Sequence, residues 1–245
     1  MPDEERSFHP VGALVVAKMN LSPFYECEDA VIYCGDAVEL LPFIDADACI
    51  TDPPYGINYK SGHNTGYVNK REGWDDWRRD TNFAPIAGDD KPFDPSPLLR
   101  FNRVAICGAN FFASRLPDSR CWITWDKRED SGSDRQSDCE FIWTNFPKPS
   151  RIFRHLWRGL CRRGEENVSK SAKQHPHQKP VALMRWLMEY GEAGPVIVDP
   201  FMGSGSTLLA ARDNGLKSIG IELSEEYCEA AARRLRNRPR SLLPG

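Results

Sequence analysis

The chain has 245 residues, 40% of them hydrophobic and 27% charged, with a net charge of −3, values typical of a globular protein and unfavourable for indiscriminate nucleic-acid binding. No run of 18 apolar residues predicts a transmembrane helix, and the acidic start (Asp3, Glu4, Glu5) lacks the layout of a secretion signal. Eight scattered cysteines without a CxxC pair predict reduced thiols in a cytoplasmic protein, with no metal site.

Strands and helices are predicted to alternate along the chain. In chain order the apolar runs and helix formers predict strand 31–34, helix 37–41, strand 48–51, strand 103–107, helix 109–116, strands 121–125, 139–144 and 151–157, helix 180–190, strand 196–198, helix 206–214, strand 218–221 and helix 224–236. Ser224 is the predicted N-cap of the last helix. This order indicates an α/β fold with a mostly parallel sheet.

The first motif, Asp52-Pro53-Pro54-Tyr55, directly follows an apolar strand. An exocyclic amino group on an aromatic base is a poor nucleophile, because its lone pair is delocalised into the ring. The Asp52 carboxylate and the Pro53 carbonyl, aimed by the rigid prolines, suit such a group, and Tyr55 offers a flat face for an extruded base. Taken alone, the two prolines also fit a surface turn, which is the less favoured interpretation.

The second motif runs from Asp199 to Thr207 and also follows a strand. Its spacing Gly203-x-Gly205 is too short for the dinucleotide fingerprint and lacks the Gly-Lys of a P-loop, which disfavours a pyrophosphate ligand. A strand, a glycine turn and a helix N-terminus suit a nucleoside ligand that carries a carboxylate. Glu222, about 20 residues further on, is placed to accept hydrogen bonds from ribose hydroxyls.

The charge is unevenly distributed. Residues 148–179 contain nine lysines and arginines against two glutamates. A basic stripe on an acidic body is typical of a phosphate-binding face, although a solvated surface loop explains the composition equally well.

In these motifs the chain resembles the β group of S-adenosylmethionine-dependent DNA amino-methyltransferases, from about Val31 to Arg236. In that group the catalytic motif precedes the cofactor motif, a circular permutation of the usual order. The matches are Gly35-Asp36, Asp52 to Tyr55, Gln178-Lys179-Pro180, Asp199 to Thr207 with Ser206 in place of a Thr, and Glu222. The segments 107–112, 122–127 and 137–140 resemble phage and prophage methylases in particular.

The resemblance implies a Rossmann-like fold with a mostly parallel, seven-stranded sheet and helices on both faces. Within it, 21–240 would be one methyltransferase domain, 1–20 a loosely attached leader, and 57–95 and 145–175 insertions that contact DNA. The implied catalytic residues are Asp52, Pro53, Pro54 and Tyr55. The implied S-adenosylmethionine-binding residues are Asp36, Ala37, Lys179, Pro180, Asp199, Pro200, Phe201, Gly203, Ser204, Gly205, Ser206, Thr207, Glu222 and Leu223.

The expected activity is transfer of a methyl group to N6 of a flipped-out adenine in double-stranded DNA, at a specific or relaxed target. Adenine is favoured because the group's cytosine members often carry Ser at the position of Asp52. An N4-cytosine enzyme is the main alternative, followed by an RNA or protein-glutamine methyltransferase and an inactive DNA-binding protein. The group also includes homodimers. The candidate DNA contacts are Lys60, Lys70, Arg71, Trp74, Arg78, Arg151, Arg154, Arg158, Arg162 and Arg163.

Overall fold

A computed structural model describes five parts of the chain, residues 22–58, 88–129, 137–158, 161–163 and 178–239. The predicted leader and most of the long loop 57–95 lie outside these ranges. The described strands are β1 (Tyr25–Glu26), β2 (Ala30–Cys34), β3 (Ala48–Thr51), β4 (Arg103–Cys107), β5 (Cys121–Asp126), β6 (Cys139–Thr144), β7 (Arg151–Arg154), β8 (Trp157–Arg158), β9 (Cys161–Arg162), β10 (Val196–Asp199) and β11 (Lys217–Glu222).

Four α-helices accompany these strands in the described ranges, α1 (Ala37–Leu40), α2 (Val181–Gly191), α3 (Ser206–Asp213) and α4 (Glu225–Asn237). Ser224 is the N-cap of α4, and its hydroxyl accepts a hydrogen bond from the Tyr227 amide, as predicted. The helix predicted over 109–116 is wrong. Two 3-10 turns, Ala109–Phe111 and Ala113–Arg115, stand there instead, since Phe112 leaves the helical region with a ψ of 27°.

Nine strands form the main sheet of the described residues, in the order β1-β2-β11-β10-β3-β4-β6-β5-β7. This sheet therefore has two strands more than the seven that were expected. The additions are the edge strands: β1 pairs antiparallel with β2, and β7 pairs parallel with β5. Strands β2, β11, β10, β3 and β4 are mutually parallel, while β6 is antiparallel to both of its neighbours. Because β7 lies at the sheet edge, the predicted insertion 145–175 contributes one strand to the sheet itself.

Both faces of the sheet are apolar, and alternate strand residues serve opposite faces. On one face Ala48, Ile50 and Ile197 pack against α2 and α3, and Ala30 and Ile32 pack against α3 and α4. On the other face the cover consists of α1 and short 3-10 turns. Helices therefore lie on both faces as expected, but the three long ones share a single face.

Across the described parts of the chain, no helix is both long enough and apolar enough to span a membrane.

Candidate active site

Three parallel strands bring the two predicted motifs to one edge of the sheet. Strand β10 lies between β3 and β11, with Val198 opposite Cys49 and Ile219. Asp52 therefore follows β3 at the same edge where Asp199 and Glu222 end β10 and β11. This carboxyl edge is where open α/β sheets bind ligands.

The Asp52 carboxylate has a partner on each oxygen. The Tyr55 hydroxyl donates to Oδ1 at 2.6 Å, and the Lys179 ammonium donates to Oδ2 at 2.7 Å. Lys179 also donates to the Tyr55 hydroxyl oxygen at 3.0 Å. The segment expected near the methionine end of the cofactor thus places its lysine on the Asp52 carboxylate.

Glu140 from β6 completes this cluster and was not a predicted site residue. Its Oε1 lies 3.0 Å from the Lys179 ammonium and 3.4 Å from the Tyr55 hydroxyl, and its Oε2 lies 3.9 Å from the Lys127 ammonium. Only the resemblance of 137–140 to phage methylases marked this segment in the sequence. Tyr55 and Lys179 lie 85 and 39 positions away from Glu140 along the chain, so no local pattern could pair them with it.

Burial and charge decide the ionisation of this cluster. Burial raises the pKa of Tyr55 well above its ordinary value, and the Asp52 and Glu140 charges raise it further, so the phenol remains a hydrogen-bond donor. Burial by itself would lower the pKa of Lys179, but Asp52 and Glu140 outweigh it and leave that pKa well above its ordinary value. Lys179 is therefore a permanent cation between two carboxylates.

The backbone after the prolines is held by Asp89. Its Oδ1 accepts hydrogen bonds from the amides of Tyr55, Gly56 and Ile57 at 2.9, 2.9 and 3.3 Å. The Asn58 amide donates to the Asp89 carbonyl at 2.7 Å. The described residues that flank 59–87 therefore meet beside the loop that carries Asp52 and Tyr55. No pattern in the sequence pointed to a role for Asp89.

Tyr55 does not offer a bare stacking face on both sides. Phe111 stacks on its ring with the centroids 4.9 Å apart and an interplanar angle of 16°. Phe111 is itself 49% exposed, so part of this aromatic pair is accessible from solvent. One face of the ring expected to stack on a base is therefore already covered by Phe111.

Gly108 sets the position of the Tyr55 ring. Its φ is +64°, and a Cβ at this position would stand 2.1 Å from Tyr55 Cε1. We expect Gly108→Ala to push the ring off Asp52 and to lower the rate of the methyl transfer that the sequence predicts about tenfold, because the 2.6 Å hydrogen bond is lost. Steady-state kinetics with a methyl-group donor and DNA measure this effect.

Gly215→Ala is the matched control for that variant. Gly215 has a φ of +68°, but a Cβ there meets nothing within 4 Å. Both substitutions carry the same left-handed backbone cost of about 1–2 kcal/mol. Equal losses of activity in the two variants would contradict a specific role for the contact between Gly108 and Tyr55.

The glycine turn after β10 is fully buried. Gly205 is the N-cap of α3 with a φ of +81°, and a Cβ there would meet that of Ala231 in α4 at 2.9 Å. Arg234 of α4 donates to the Ser204 carbonyl at 2.5 Å and to the Ser204 and Ser206 hydroxyls at 3.0 and 3.5 Å. These two hydroxyls therefore brace the turn.

Asp199 is buried at the start of this turn, with only 3% of its surface exposed. Its Oδ1 accepts hydrogen bonds from the Thr51 hydroxyl at 2.6 Å and the Phe201 amide at 3.1 Å. Burial raises the pKa of Asp199 to about 6, against the opposing hydrogen bonds from Thr207, Thr51 and the Phe201 amide. Thr207, a predicted cofactor residue, thus binds the carboxylate beside it.

Glu222 of β11 lies opposite Cys34 of β2. Because Cys34 is two residues before Asp36, this register brings Glu222 near the start of α1. Its two oxygens accept hydrogen bonds from the Gly203 amide at 3.0 Å and the Ser224 amide at 2.8 Å. Each carboxylate oxygen has a second lone pair, so both remain able to accept from a ribose hydroxyl. Burial raises the pKa of Glu222, and these amides oppose the shift.

The remaining predicted cofactor residues surround this edge. Asp36 is exposed and is the N-cap of α1, with Oδ1 accepting from the Val38 amide at 2.7 Å, so its other oxygen is available to a ligand. Leu223 is 56% exposed beside Glu222, whereas Ala37, Pro180 and Pro200 are buried. An exposed apolar side chain next to carboxylate oxygens that can still accept hydrogen bonds suits a nucleoside.

One cleft joins the catalytic and glycine motifs. Its walls include Asp52, Gln178, Lys179, Met184, Asp199, Phe201, Met202, Gly203, Ser204, Ser206 and Thr207. A carboxylate, an ammonium, buried backbone amides and apolar side chains fit a zwitterionic nucleoside such as S-adenosylmethionine.

The predicted DNA contacts divide into three groups. Lys60, Lys70, Arg71, Trp74 and Arg78 lie outside the described residues. Arg151 begins β7 at the opposite edge of the sheet from Asp52, with its guanidinium 5.9 Å from the Tyr190 ring. Arg154 ends β7 at the same edge as Asp52, 3.7 Å from Asp126.

The third group lies on the hairpin of β8 and β9. Arg158 belongs to β8, Arg162 lies 4.4 Å above the Trp157 ring, and Arg163 pairs with Glu129 at 2.6 Å. The Trp157 indole donates to the Gln178 carbonyl at 3.2 Å. This bond ties the basic hairpin to the segment that carries Lys179, a link that the sequence did not reveal.

Asp52, Cys107 and Glu140 place possible metal ligands within 4.8 Å of one another. Lys179 already contacts both carboxylates, and burial raises the pKa of the Cys107 thiol well above its ordinary value. A protonated thiol is a poor ligand, and the ammonium supplies the positive charge that a metal would bring. We therefore interpret this cluster as the binding site of the Lys179 ammonium group and not of a metal ion.

Known proteins are similar to this chain in sequence and in fold. A family model described as DNA methylase matches residues 122–233. YubD of Escherichia coli (strain K12), which is named as a methylase, is 40% identical over 232 residues that cover 86% of this chain and 92% of YubD. The type II methyltransferase M.ScaI of Streptomyces caespitosus is 25% identical over 261 residues, with 90% of this chain and 86% of M.ScaI covered.

Among solved structures, the cytosine-N4-specific PvuII DNA methyltransferase shares the fold, with a TM-score of 0.55 at 18% identity. The match covers 87% of this chain and 89% of that protein. Identity this low supports the Rossmann-like fold alone. Together with the extent of the match to YubD, the family model shows that the chain belongs to the DNA methylases, the S-adenosylmethionine-dependent DNA amino-methyltransferases.

Proposed function

We propose that this protein methylates the N6 amino group of adenine in double-stranded DNA, with the adenine turned out of the helix. The observation that carries the proposal is the shared cleft, in which Asp52 lies beside the glycine turn and Lys179. An amino group inside a stacked base pair cannot enter a cleft at the edge of a sheet. Base flipping supplies the access that this geometry requires.

The chain's own residues orient and polarise the amino group. The Asp52 carboxylate, stiffened by the buried Pro53, accepts a hydrogen bond from one amino hydrogen, and the Pro53 carbonyl accepts from the other. The Tyr55 hydroxyl, fixed on Oδ1 at 2.6 Å, holds the carboxylate in place. Two preorganised acceptors draw electron density onto the nitrogen, and most of the rate then comes from positioning.

The cofactor-binding set follows from the second motif. Asp36, Ala37, Glu222 and Leu223 would hold the nucleoside, and the turn from Asp199 through Pro200, Phe201, Gly203, Ser204, Gly205, Ser206 and Thr207, with Lys179 and Pro180, would hold the methionine end. S-adenosylmethionine, when bound, supplies an electrophilic methyl group on a sulfonium ion. The residues around it then keep it beside the Asp52 carboxylate.

The DNA-binding face would combine the hairpin arginines with Arg154 and with the basic residues of 59–87. The bond between Trp157 and Gln178 brings the hairpin to the cleft. Three of the hairpin's charges are Arg158, Arg162 and Arg163. Phosphate contacts of this kind position the duplex and carry little sequence information, which fits a short or relaxed target.

N4 of cytosine is the second candidate. Adenine N6 and cytosine N4 present the same amino group beside a ring nitrogen, so the Asp52 site accepts either. A similar fold in a cytosine-N4-specific enzyme supports this candidate. Asp52 itself favours adenine, through the resemblance described above.

Product analysis tests the proposal. We expect the purified protein, given S-adenosylmethionine and unmethylated duplex DNA, to yield N6-methyladenine when the DNA is digested to nucleosides and analysed by mass spectrometry. Single-stranded DNA and RNA are the comparison substrates. N4-methylcytosine would retain the mechanism and correct the base, while a product on RNA alone would correct the substrate class.

A further inference from the structure

We propose that Glu140 is a positioning residue for methyl transfer: it takes over the Lys179 ammonium when the target amino group engages Asp52. The inference rests on the proposed function. It concerns the one carboxylate of the cluster that neither predicted motif contains.

Asp52 is partly neutralised as an acceptor while Lys179 holds it. The ammonium lies 2.7 Å from Oδ2, and the Tyr55 hydroxyl occupies Oδ1. A cation at hydrogen-bond distance draws charge from the carboxylate, and a carboxylate with less free charge polarises an amino group less. The amino group therefore gains a strong acceptor only when Lys179 turns away.

Glu140 is a second anionic partner for the Lys179 ammonium. Its Oε1 is 3.0 Å from the same ammonium, so a small rotation about the lysine side chain exchanges one carboxylate for the other. The Lys179 and Glu140 side chains are only 7% and 14% exposed. A buried ammonium without a carboxylate is costly, and Glu140 removes that cost from the reacting state.

The ion-paired groups of the cluster carry two charges of each sign in both arrangements. Two carboxylates, Asp52 and Glu140, face two ammonium groups, Lys179 and Lys127. Lys127 stands on the far side of Glu140, 3.9 Å from Oε2. Asp52 is faced from each packed element by a polar or titratable group, namely Tyr55 from its own loop, Cys107 from β4, Glu140 from β6, Asp199 from β10 and Lys179 from the segment before α2.

The test removes the charge of Glu140. We expect Glu140→Gln to lower kcat about tenfold or more, with the Kd for S-adenosylmethionine within about twofold of the wild type, since Lys179 then stays on Asp52. Glu140→Asp keeps the charge and should recover much of the rate. Glu189→Gln is the control, because Glu189 pairs with Arg185 at 2.9 Å on the exposed face of α2.

The outcomes are separable. If the wild type makes no methylated base in the same assay, the proposed function fails and the inference fails with it. If the wild type is active while Glu140→Gln matches Glu189→Gln in rate, or Glu140→Asp is as impaired as Glu140→Gln, the role of Glu140 alone is overturned.

Discussion

Replacing Asp52 with Asn is expected to lower kcat for DNA methylation by about 10²–10³-fold, the usual cost of removing one preorganised electrostatic contact. Asn has nearly the same shape, so the loop keeps its fold while the carboxylate charge disappears. The amino group then has a weaker acceptor, and Lys179 is left with Glu140 as its anionic partner. Single-turnover methylation at saturating DNA and S-adenosylmethionine separates this chemical loss from binding.

Asp213→Asn is the control for that variant. Asp213 also pairs with a cation, Arg238 at 2.5 Å, and its side chain is 14% exposed against 16% for Asp52. It lies at the end of α3, outside the cleft. If Asp52→Asn keeps more activity than Asp213→Asn, Asp52 is not the residue that activates the amino group.

Replacing Asp199 with Asn is expected to stabilise the protein at neutral pH by up to about 3 kcal/mol. The pKa of Asp199 is raised to about 6 in the folded state, from an ordinary value of 3.8. Folding therefore favours the protonated carboxyl, so its stabilising contribution is present below pH 3.8 and is lost as pH rises through 6. The neutral Asn escapes this loss and keeps an oxygen to accept from Thr51.

Urea unfolding at pH 4 and pH 7.5 measures the effect as a difference between the two proteins. The variant and the wild type should be nearly equal at the lower pH and should diverge at the higher pH. A gap that is the same at both values would show that Asp199 does not titrate between them. Calorimetry with S-adenosylmethionine should show weaker binding by the variant, since a charge kept at a cost to stability is typical of a functional site.

The strands and the edge that carries the site follow from local patterns. Strands β3, β4 and β6 match the predicted bounds. Short β-branched and apolar runs that are bounded by turn residues are typical of strands. The motif Asp52 to Tyr55 and the glycine turn from Asp199 each follow a strand. Their position at one sheet edge then follows from the parallel connection rule.

Side-chain partners across the sheet were beyond local patterns. Lys179 was assigned to the cofactor by resemblance, and the structure places its ammonium on Asp52, 127 positions earlier in the chain. Asp89 holds the Tyr55 amide from 34 positions away. No period or spacing in a sequence encodes such pairs, since they depend on how strands from distant segments lie in the sheet.

The class of chemistry follows from the sequence, because an Asp-Pro-Pro-Tyr loop and a glycine turn with a later acid are local arrangements of backbone and side chain. The folded chain then sets which groups surround the Asp52 carboxylate. Strand β6 runs antiparallel beside β4 and brings Glu140 to the carboxyl edge of β3, and the start of α2 brings Lys179 there. Lys179 keeps its charge there because the two carboxylates, Asp52 and Glu140, outweigh the effect of burial on its pKa.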